Sequence, residues 1–291
     1  MKKLVLIDGN AILHRAFHAL PSSLTTKNGE PINATYGFVS MLLRIVVDLK
    51  PTHIAVAFDT PVETFRKAQY VGYQAQRPRM ESELSSQFDK TYKALEAMNI
   101  PIYKVERYEA DDVIGTIAKQ CRDKIDEVVV VTGDRDILQL VDDKKVFVYM
   151  PVKGLTNAKL YDEKAVIERM GLKPSQIVDL KALMGDSSDN YKGVAGIGPK
   201  TAVNLLKKYR TLENIYNHLG EIPENVSKKL ANGAESAGMS QKLARIVTDA
   251  PVTFNLEDAA KWNLSSEKTI KYFEELGFKT LTNRVEQLSI L

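Results

Sequence analysis

Acidic side chains follow each of the first four β-like segments of the sequence. These segments are short runs of apolar and β-branched residues, and the seven acids at or just after their ends are Asp8, Asp59, Glu109, Asp111, Asp112, Asp134 and Asp136. Because the carboxyl ends of parallel strands share one edge of a sheet, we expect these acids to converge there. Two further acids, Asp186 and Asp189, occur where a helical region begins.

So many carboxylates in one place indicate a site for divalent cations. Like charges in a cleft raise one another's pKa and oppose folding unless something compensates them. The donors are all oxygen, since the histidines at 14, 18, 53 and 218 are not grouped with the acids, and this donor set favours Mg²⁺ or Mn²⁺ over zinc. A carboxylate site that holds two such ions about 4 Å apart is typical of enzymes that cleave phosphodiesters by in-line attack.

Helix capping is the alternative explanation for these acids. A single Asp after a strand is more often a helix N-cap than a metal ligand, and acids such as Asp111 and Asp112 in a first helical turn also suit the helix dipole. Acids after four successive strand ends are harder to explain by capping alone. The sequence therefore favours a metal site and leaves capping open for each residue.

A glycine-rich turn in the second half of the chain is suited to a phosphate backbone. Segment 193–202 contains three glycines, and Pro199 suits the first turn of the helix that follows. Exposed N–H groups at a helix N-terminus bind phosphate, and Lys200, Lys207 and Lys208 add positive charge. The glycine spacing differs from the dinucleotide-binding fingerprint, and a helix rather than a strand precedes it. A turn that serves only to pack two helices is the alternative.

The first half of the chain alternates strand-like and helix-like segments. Strands are predicted at 4–7, 54–58, 102–105, 128–132 and 146–150, and helices at 10–20, 33–49, 81–98, 110–122 and 134–141. This alternation predicts an α/β domain at 1–172, with a mostly parallel sheet and helices on both faces. Helical patterns then dominate, at 162–170, 174–184, 199–209, 211–218, 223–232, 236–247 and 266–276, and predict a helical domain at 173–291.

Residues 61–80 fit neither pattern. They are rich in cations and aromatic residues but poor in aliphatic ones, so they are not expected to bury a normal core face. We interpret the stretch as a mobile connection between a strand and the next helix, and long connections in compact domains are often functional.

Composition limits the class of protein. The 291 residues carry a net charge of +3, which alone is weak support for a nucleic-acid partner, but Lys and Arg collect at 66–79, 192–210 and 228–229. No apolar run approaches the roughly 18–20 residues of a membrane span, and the run after Lys3 is too short for a signal peptide. The single cysteine, Cys121, cannot form an internal disulfide, which favours a reducing cytoplasm.

Several motifs occur together in a fixed order. They are Leu6-Ile7-Asp8-Gly9-Asn10, Ala57-Phe58-Asp59, Tyr108-Glu109-Ala110-Asp111-Asp112, Thr132-Gly133-Asp134-Arg135-Asp136 and Gly185-Asp186-Ser187-Ser188-Asp189-Asn190, followed by the glycine-rich turn with Lys200-Thr201-Ala202. With the tail 273–281, they resemble the 5′-nuclease domain of bacterial DNA polymerase I, in the flap endonuclease superfamily, essentially from end to end. The resemblance implies a PIN-like α/β domain and an arch over the site at 65–79. It also implies a helix-hairpin-helix element at about 185–209 that holds a monovalent cation such as K⁺.

The resemblance also assigns roles to residues. The family's metal positions correspond to Asp8, Asp59, Glu109, Asp111, Asp112, Asp134, Asp136, Asp186 and Asp189. Of these, Asp112, Asp186 and Asp189 are expected to serve a second ion or its waters, while the other six acids act in catalysis with Arg77. The expected DNA-binding residues are Arg66, Tyr73, Gln74, Arg77, Gly196, Gly198, Lys200, Thr201, Lys207 and Lys208.

One arch residue departs from the family pattern. Gln74 stands where the family usually has a lysine. A glutamine can donate a hydrogen bond to a phosphate but cannot neutralise charge that develops there. Either Arg77, Arg79 or Lys67 compensates for the missing cation, or the enzyme is slow.

The expected reaction is Mg²⁺- or Mn²⁺-dependent hydrolysis of a DNA phosphodiester near a 5′ flap, nick or junction, with DNA shape setting the specificity. Expected partners are that DNA and a fused or separate DNA polymerase, away from membranes, in the cytoplasm at the nucleoid. A junction-binding scaffold with weak or lost catalysis is the first alternative. A PIN-type ribonuclease usually lacks the glycine hairpin, and a metal-dependent phosphatase would need an Asp-x-Asp pair that Asp8-Gly9-Asn10 does not supply.

Overall fold

The computed structural model describes residues 1–153 and 157–288, and these form six β-strands and fifteen α-helices. The strands are β1 (Lys3–Asp8), β2 (His53–Ala57), β3 (Ile102–Tyr103), β4 (Glu127–Val131), β5 (Val146–Lys153) and β6 (Asn157–Tyr161). The helices of the first half are α1 (Gly9–Ala19), α2 (Asn33–Leu49), α3 (Phe65–Gln69), α4 (Ser82–Ser85), α5 (Phe88–Ala97) and α6 (Ala110–Gln120).

Helices α7 to α15 make up most of the second half. They are α7 (Glu163–Met170), α8 (Ile177–Met184), α9 (Pro199–Tyr209), α10 (Leu212–Asn217), α11 (Glu224–Asn232), α12 (Ala234–Ala244), α13 (Leu256–Ala259), α14 (Glu267–Leu276) and α15 (Lys279–Leu288). Short 3₁₀ helices lie at Asp136–Leu140, Pro174–Gln176 and Leu219–Glu221. In the described part of the chain, no helix is both long and apolar enough to cross a membrane.

The six strands form one sheet in the order β3-β2-β1-β4-β5-β6, in which only β6 runs antiparallel to its neighbour. The central strands are nearly continuous apolar runs because helices cover both faces of the sheet. The register pairs Ile7 of β1 with Val131 of β4, and Asp8 with Ala57 of β2, so the acid-bearing strand ends come level at one edge. The predicted fold class, a mostly parallel α/β sheet followed by a helical domain, is confirmed.

Alternate residues of β1 enter two separate cores, one on each face of the sheet. Ile7 packs in the core that contains Phe38 of α2, and Leu6 packs in the core that contains Ile114 of α6. A slip of one residue would exchange these two sets of side chains, so burial on both faces fixes the register. The carboxyl ends of the strands are thereby held in place by the sheet itself.

The helical half has a core of its own, but the last two helices do not pack in that core. Helices α8 to α12 enclose a third core that includes Leu183, Leu206 and Leu230. Helices α14 and α15 instead pack in the first core, through Phe273 and Leu281. The sequence placed this tail in the helical domain, but its apolar face is covered by α2 and α5 of the α/β half.

Several local predictions were wrong. The helix expected at 134–141 is a 3₁₀ helix, the helix expected at 81–98 is divided into α4 and α5, and β6, α13 and α15 were not predicted. Strand β6 escaped prediction because it is an edge strand whose side chains are largely exposed, so its sequence lacks a clear apolar alternation. None of these differences moves an acid away from the end of its strand.

The segment 61–80 is folded against the rest of the molecule. Thr64 caps α3 by accepting a hydrogen bond from the backbone N–H of Lys67. Arg66 and Tyr73 are only 2% and 3% exposed, and Tyr73 packs beside Leu243 at the end of α12. Most of the stretch is exposed, as expected of residues that bury no normal core face, and polar partners hold the two buried side chains. Its mobility stays a prediction.

Candidate active site

A cleft of about 1030 Å³ opens at the edge where β1 to β4 end. Among the acids that line it are Asp8, Asp59, Glu109, Asp111, Asp134, Asp136 and Asp189. The structure therefore brings together six of the seven strand-end acids and adds Asp189, from the loop that follows α8. Asp186 lies beside them, since one oxygen each of Asp136, Asp186 and Asp189 lie within 4.8 Å of one another.

Two of these acids serve the fold as well as the cleft. One oxygen of Asp8 caps α1 by accepting a hydrogen bond from the N–H of Ala11 at 2.9 Å, and the other accepts from the Thr132 hydroxyl at 2.7 Å. Asp59 accepts from the N–H of Ala110 at 2.7 Å, at the start of α6. Capping thus accounts for part of the role of each residue, and each carboxylate oxygen keeps lone-pair capacity for a cation.

Burial raises the pKa of the cleft acids. The pKa of Asp8 and that of Glu109 rise to about 7, and that of Asp136 rises to about 6, chiefly because burial disfavours the charged form. Burial also raises the pKa of Asp111 well above its ordinary value, helped by the neighbouring charges of Asp134 and Asp8. A divalent cation would relieve these shifts by favouring the charged form, and the all-oxygen donor set fits a hard cation.

Cations of the chain already neutralise one side of the cleft. Lys181 of α8 forms ion pairs with both Asp136 and Asp186. Although burial opposes it, hydrogen bonds from Lys181 and Ser188 lower the pKa of Asp186 to about 2. Arg77 donates to Asp189 at 2.8 Å while more than half of its side chain stays exposed. These acids are therefore paired, and a cation that enters here must displace or share their partners.

Tyr73 and Gln74 line the cleft and form hydrogen bonds with two of its acids. The Tyr73 hydroxyl donates to Glu109 Oε2 at 3.1 Å, and Gln74 Nε2 donates to Asp189 Oδ1 at 3.2 Å. The Tyr73 ring also stacks on Tyr191, with 6.3 Å between ring centroids and 15° between planes. The ring and the hydroxyl of Tyr73 are thus both engaged within the protein, and its predicted contact with DNA stays a prediction.

Two predicted site residues, Asp112 and Arg66, bind each other in the interior of the protein. Asp112 is fully buried, and its two oxygens accept hydrogen bonds from Arg66 at 2.6 and 2.7 Å. In this arrangement Asp112 and Arg66 bind each other, and the predicted roles of Asp112 at a second cation and of Arg66 at DNA stay predictions. A buried ion pair of this kind stays closed because separating it leaves an uncompensated charge in the interior.

The glycine-rich turn has the geometry that its sequence predicts. Gly196 has a φ of +78°, which an L side chain rarely adopts, and Pro199 begins α9 directly after Gly198. Lys200 stands in the first turn of this helix, with Thr201 half-buried beside it, and Lys207 and Lys208 stand in its last turn. All three lysines are exposed, as are Gly196 and Gly198.

Sequence reasoning missed three residues that shape the cleft. His14 and Lys104 line it, and Lys181 bridges two of its acids. The histidines had been expected to lie apart from the acids, but His14 follows Asn10 by one turn of α1 and shares its face. Asn10 itself accepts a hydrogen bond from the N–H of Asp59 at 2.9 Å. The spacing of four residues between Asn10 and His14 was the sequence signal that could have placed His14 in the cleft.

Two family models match the chain. Residues 3–171 match the N-terminal resolvase-like domain of the 5′-3′ exonucleases, and residues 172–267 match the C-terminal SAM fold of that family. DNA polymerase I of Bacillus caldotenax is 45% identical over 289 residues, which cover 99% of this chain and 33% of that protein. DNA polymerase I of Bacillus subtilis is 42% identical over 285 residues, which cover 98% and 32%. The chain thus spans about a third of the length of these relatives.

Solved structures share the fold. The 5′-exonuclease of T5, in a structure with divalent metal ions (zinc) bound, superimposes with a TM-score of 0.69 at 22% identity and covers 98% of each chain. The catalytic core of Rad2 in complex with a DNA substrate superimposes with a TM-score of 0.59 at 16% identity, over 99% of this chain and 91% of that one. At these identities the likeness concerns the arrangement of the elements.

Proposed function

The chain belongs to the 5′-3′ exonuclease family, and on that premise we propose that it is a metal-dependent, structure-specific 5′-nuclease that hydrolyses DNA phosphodiesters as an exonuclease and a flap endonuclease. The observation that carries this proposal is the meeting of acids from four strand ends and one helical loop in a single cleft. No structural need of the sheet requires so many carboxylates in one cleft, and they destabilise one another unless cations are present.

The proposed cofactors are two Mg²⁺ or Mn²⁺ ions. The proposed ligands of the first are Asp8, Asp59, Glu109, Asp111 and Asp134, and the proposed ligands of the second are Asp136, Asp186 and Asp189, an assignment that the shared cleft and the cluster of the last three support. When bound, such ions neutralise charge on the phosphate and activate the attacking water. Zinc is bound in the T5 5′-exonuclease structure, but hard oxygen donors without Cys or His favour Mg²⁺ or Mn²⁺ here.

Cations at the rim of the cleft would bind the substrate phosphate. Arg77 is the best placed, because its side chain is half exposed and its single acid partner, Asp189, is itself a proposed ligand. Once Asp189 is engaged elsewhere, the Arg77 guanidinium is free to donate to a phosphate. Lys67 and Lys104 line the same cleft, and Gln74 adds a neutral donor.

The helix-hairpin-helix element would hold the duplex. Lys200 and Lys207 are seven residues apart on α9, which places them roughly 10 Å apart along the helix axis. Exposed lysines on one helix suit phosphates of one DNA backbone, and the N–H groups near Gly198 and Thr201 suit a further contact. A monovalent cation such as K⁺ at the backbone of this turn is part of the proposal.

The proposed substrates are DNAs with a 5′ flap, a nick or a junction, because backbone contacts of this kind recognise shape rather than base sequence. The Bacillus relatives are DNA polymerases, so a fused or separate polymerase is the proposed partner, in the cytoplasm at the nucleoid. We propose the domain division at residue 172, with α14 and α15 returned to the α/β half on account of their packing.

A junction-binding scaffold with weak catalysis is the second candidate, and Gln74 is the observation that favours it. One gel separates the two functions. Labelled 5′-flap, nicked and single-stranded DNA are incubated with the wild-type protein in Mg²⁺ and in EDTA. We expect Mg²⁺-dependent cleavage of the flap near its junction, leaving a 5′-phosphate and a 3′-hydroxyl. Tight flap binding without any cleavage would instead identify a scaffold.

A further inference from the structure

The guanidinium of Arg66 uses all five of its N–H donors inside the protein. Nε donates to the carbonyl oxygen of Leu243 at 2.9 Å, and Nη2 donates to the carbonyl oxygen of Arg245 at 2.8 Å and to Asp112 Oδ1 at 2.7 Å. Nη1 donates to Asp112 Oδ2 at 2.6 Å and to Glu109 Oε2 at 3.2 Å. The side chain is 2% exposed, so no donor remains for a ligand.

These contacts join three parts of the chain that are distant in sequence. Arg66 lies on α3, Glu109 and Asp112 lie at the start of α6, and Leu243 begins the segment 243–250, named here the strap. The strap runs alongside α6, and the backbone N–H of Val247 donates to Asp112 Oδ1 at 3.0 Å. Farther along, the N–H of Ala250 donates to the Thr116 hydroxyl at 3.0 Å. The strap therefore leads from α12 of the helical half directly onto the helix that carries Glu109.

The position of the Glu109 carboxylate depends on this network. Its Oε2 accepts from Arg66 and from the Tyr73 hydroxyl, whereas Oε1 has one long contact, with Gln74 Nε2 at 3.5 Å. One oxygen is thus fixed and the other is left with acceptor capacity for a cation. The negative charge of Asp112 offsets the positive charge of the guanidinium. The pair therefore adds little net repulsion to a cation while it keeps the Glu109 carboxylate in position.

We propose that Arg66 is a positioning residue, which does not contact DNA but holds Glu109 ready for a divalent cation and ties that carboxylate to the strap from the helical half. The proposal rests on the proposed role of Glu109 as a metal ligand. Hydrogen-bonding partners of metal ligands typically contribute about 10- to 100-fold in metal affinity. A lysine keeps the charge but cannot reproduce the planar fork that reaches Asp112, Glu109 and the strap together.

The test compares Arg66→Lys with Lys67→Gln, its neighbour on the same helix. Lys67 is exposed and lines the cleft, so it is a matched cation that is able to reach a phosphate. Mn²⁺ binding to the protein without DNA is measured by electron paramagnetic resonance of the free ion. Flap binding is measured by fluorescence anisotropy in EDTA over a range of salt concentrations.

We expect Arg66→Lys to weaken Mn²⁺ binding by about tenfold or more while the flap affinity and its salt slope stay as in the wild type. We expect Lys67→Gln to leave Mn²⁺ binding unchanged and to flatten the salt slope by about 0.9. A flattened slope in Arg66→Lys, or unchanged Mn²⁺ binding, overturns the positioning role. If the wild type binds no Mn²⁺, the proposed function itself fails, so the two failures are distinguishable.

Folding of the variant is checked by circular dichroism, because Arg66 is buried. If Arg66→Lys does not fold, Tyr73→Phe takes its place, since Tyr73 holds the same Glu109 oxygen through a single hydroxyl. This substitution should weaken Mn²⁺ binding by a smaller factor, about threefold to tenfold, with an unchanged salt slope. Wild-type Mn²⁺ affinity in Tyr73→Phe would then contradict the proposal.

Discussion

The acidic cleft and the glycine hairpin both collect charge, but they expose it to solvent in opposite ways. In the cleft, acids such as Asp8 and Glu109 are buried, and Lys181 and Arg66 offset part of the charge from inside the protein. At the hairpin, the lysines of α9 project into solvent. A buried charge acts strongly at short range and demands a fixed geometry, whereas an exposed charge acts weakly and is screened by salt.

This difference divides the proposed reaction into two tasks. The cleft supplies the chemistry, because fixed groups in a partly dry site stabilise developing charge most effectively. The hairpin binds the duplex, and many weak phosphate contacts that do not depend on base sequence are sufficient for this task. Mutations in the cleft should therefore lower the rate of cleavage, whereas mutations in the hairpin should weaken DNA binding.

The largest effect is expected from Asp134→Asn in the cleft. Asp134 is exposed, and its side chain accepts a hydrogen bond from the N–H of Asp136, which an asparagine can also accept. The substitution should therefore lower turnover on flap DNA by on the order of a thousandfold or more without unfolding the protein. Flap affinity in EDTA should stay the same or rise, because one anion near the phosphates is removed. Single-turnover cleavage and anisotropy measure the two quantities. Near-normal turnover would remove Asp134 from the metal site.

A smaller effect on rate is expected from the arch pair Arg77 and Gln74. Arg77→Ala should lower the single-turnover rate by roughly a hundredfold, since one lost donor to a developing charge costs on the order of 3 kcal/mol. Gln74→Lys should raise that rate with little change in affinity, provided that the site is not built around the glutamine contacts to Asp189 and Glu109. If neither variant changes the rate, the 65–79 segment does not act at the scissile phosphate.

The cleft should also make the metal-free protein less stable as the pH rises. The folded-state pKa values of Asp8 and Glu109 are about 7, and that of Asp136 is about 6, all above their unfolded values. Their contribution is therefore fully present below about pH 4 and is lost as the pH rises to about 7, by on the order of a few kcal/mol. His14 and His53, whose pKa values burial lowers, oppose this trend.

The control for these histidines is the difference between Mg²⁺ and EDTA at each pH. Melting temperatures at pH 5 and pH 7.5 should show a larger stabilisation by Mg²⁺ at the higher pH, where the acids are ionised. Asp134→Asn should reduce this difference. An equal Mg²⁺ effect at both pH values would argue against coupled acids in the cleft.

The smallest effect is expected at the hairpin. Lys200→Ala and Lys207→Ala should each weaken binding to every duplex sequence by a similar small factor and flatten the salt slope by about 0.9. Cleavage at saturating DNA should be unchanged, because these lysines lie outside the cleft. A loss that depends on base sequence would show that the hairpin does more than hold the backbone.

The sequence predicts the parts of this molecule that follow from repeated local patterns. Apolar runs that end in acids locate the strand ends, and the topology of a parallel sheet then brings Asp8, Asp59 and Asp134 to one edge. The glycine turn before α9 is equally visible, because Gly196 requires a left-handed φ that favours glycine. In both regions, the residue types alone constrain the backbone.

Pairings between distant segments could not be predicted in the same way. The sequence shows Arg66 and Asp112 as one cation and one acid among many, and nothing local indicates that they close a buried ion pair. The bridge that Lys181 makes between Asp136 and Asp186 depends likewise on how α8 packs against the sheet. Such pairs are fixed by tertiary packing, so they appear only once the fold is known.

The most direct test of the central claim is to locate the cations. Crystals of the wild-type protein soaked in Mn²⁺ would be measured at the manganese absorption edge. We expect two anomalous peaks about 4 Å apart, within coordination distance of acids that line the cleft. No peak in the cleft at saturating Mn²⁺, or peaks only at acids on the outer surface, would contradict it.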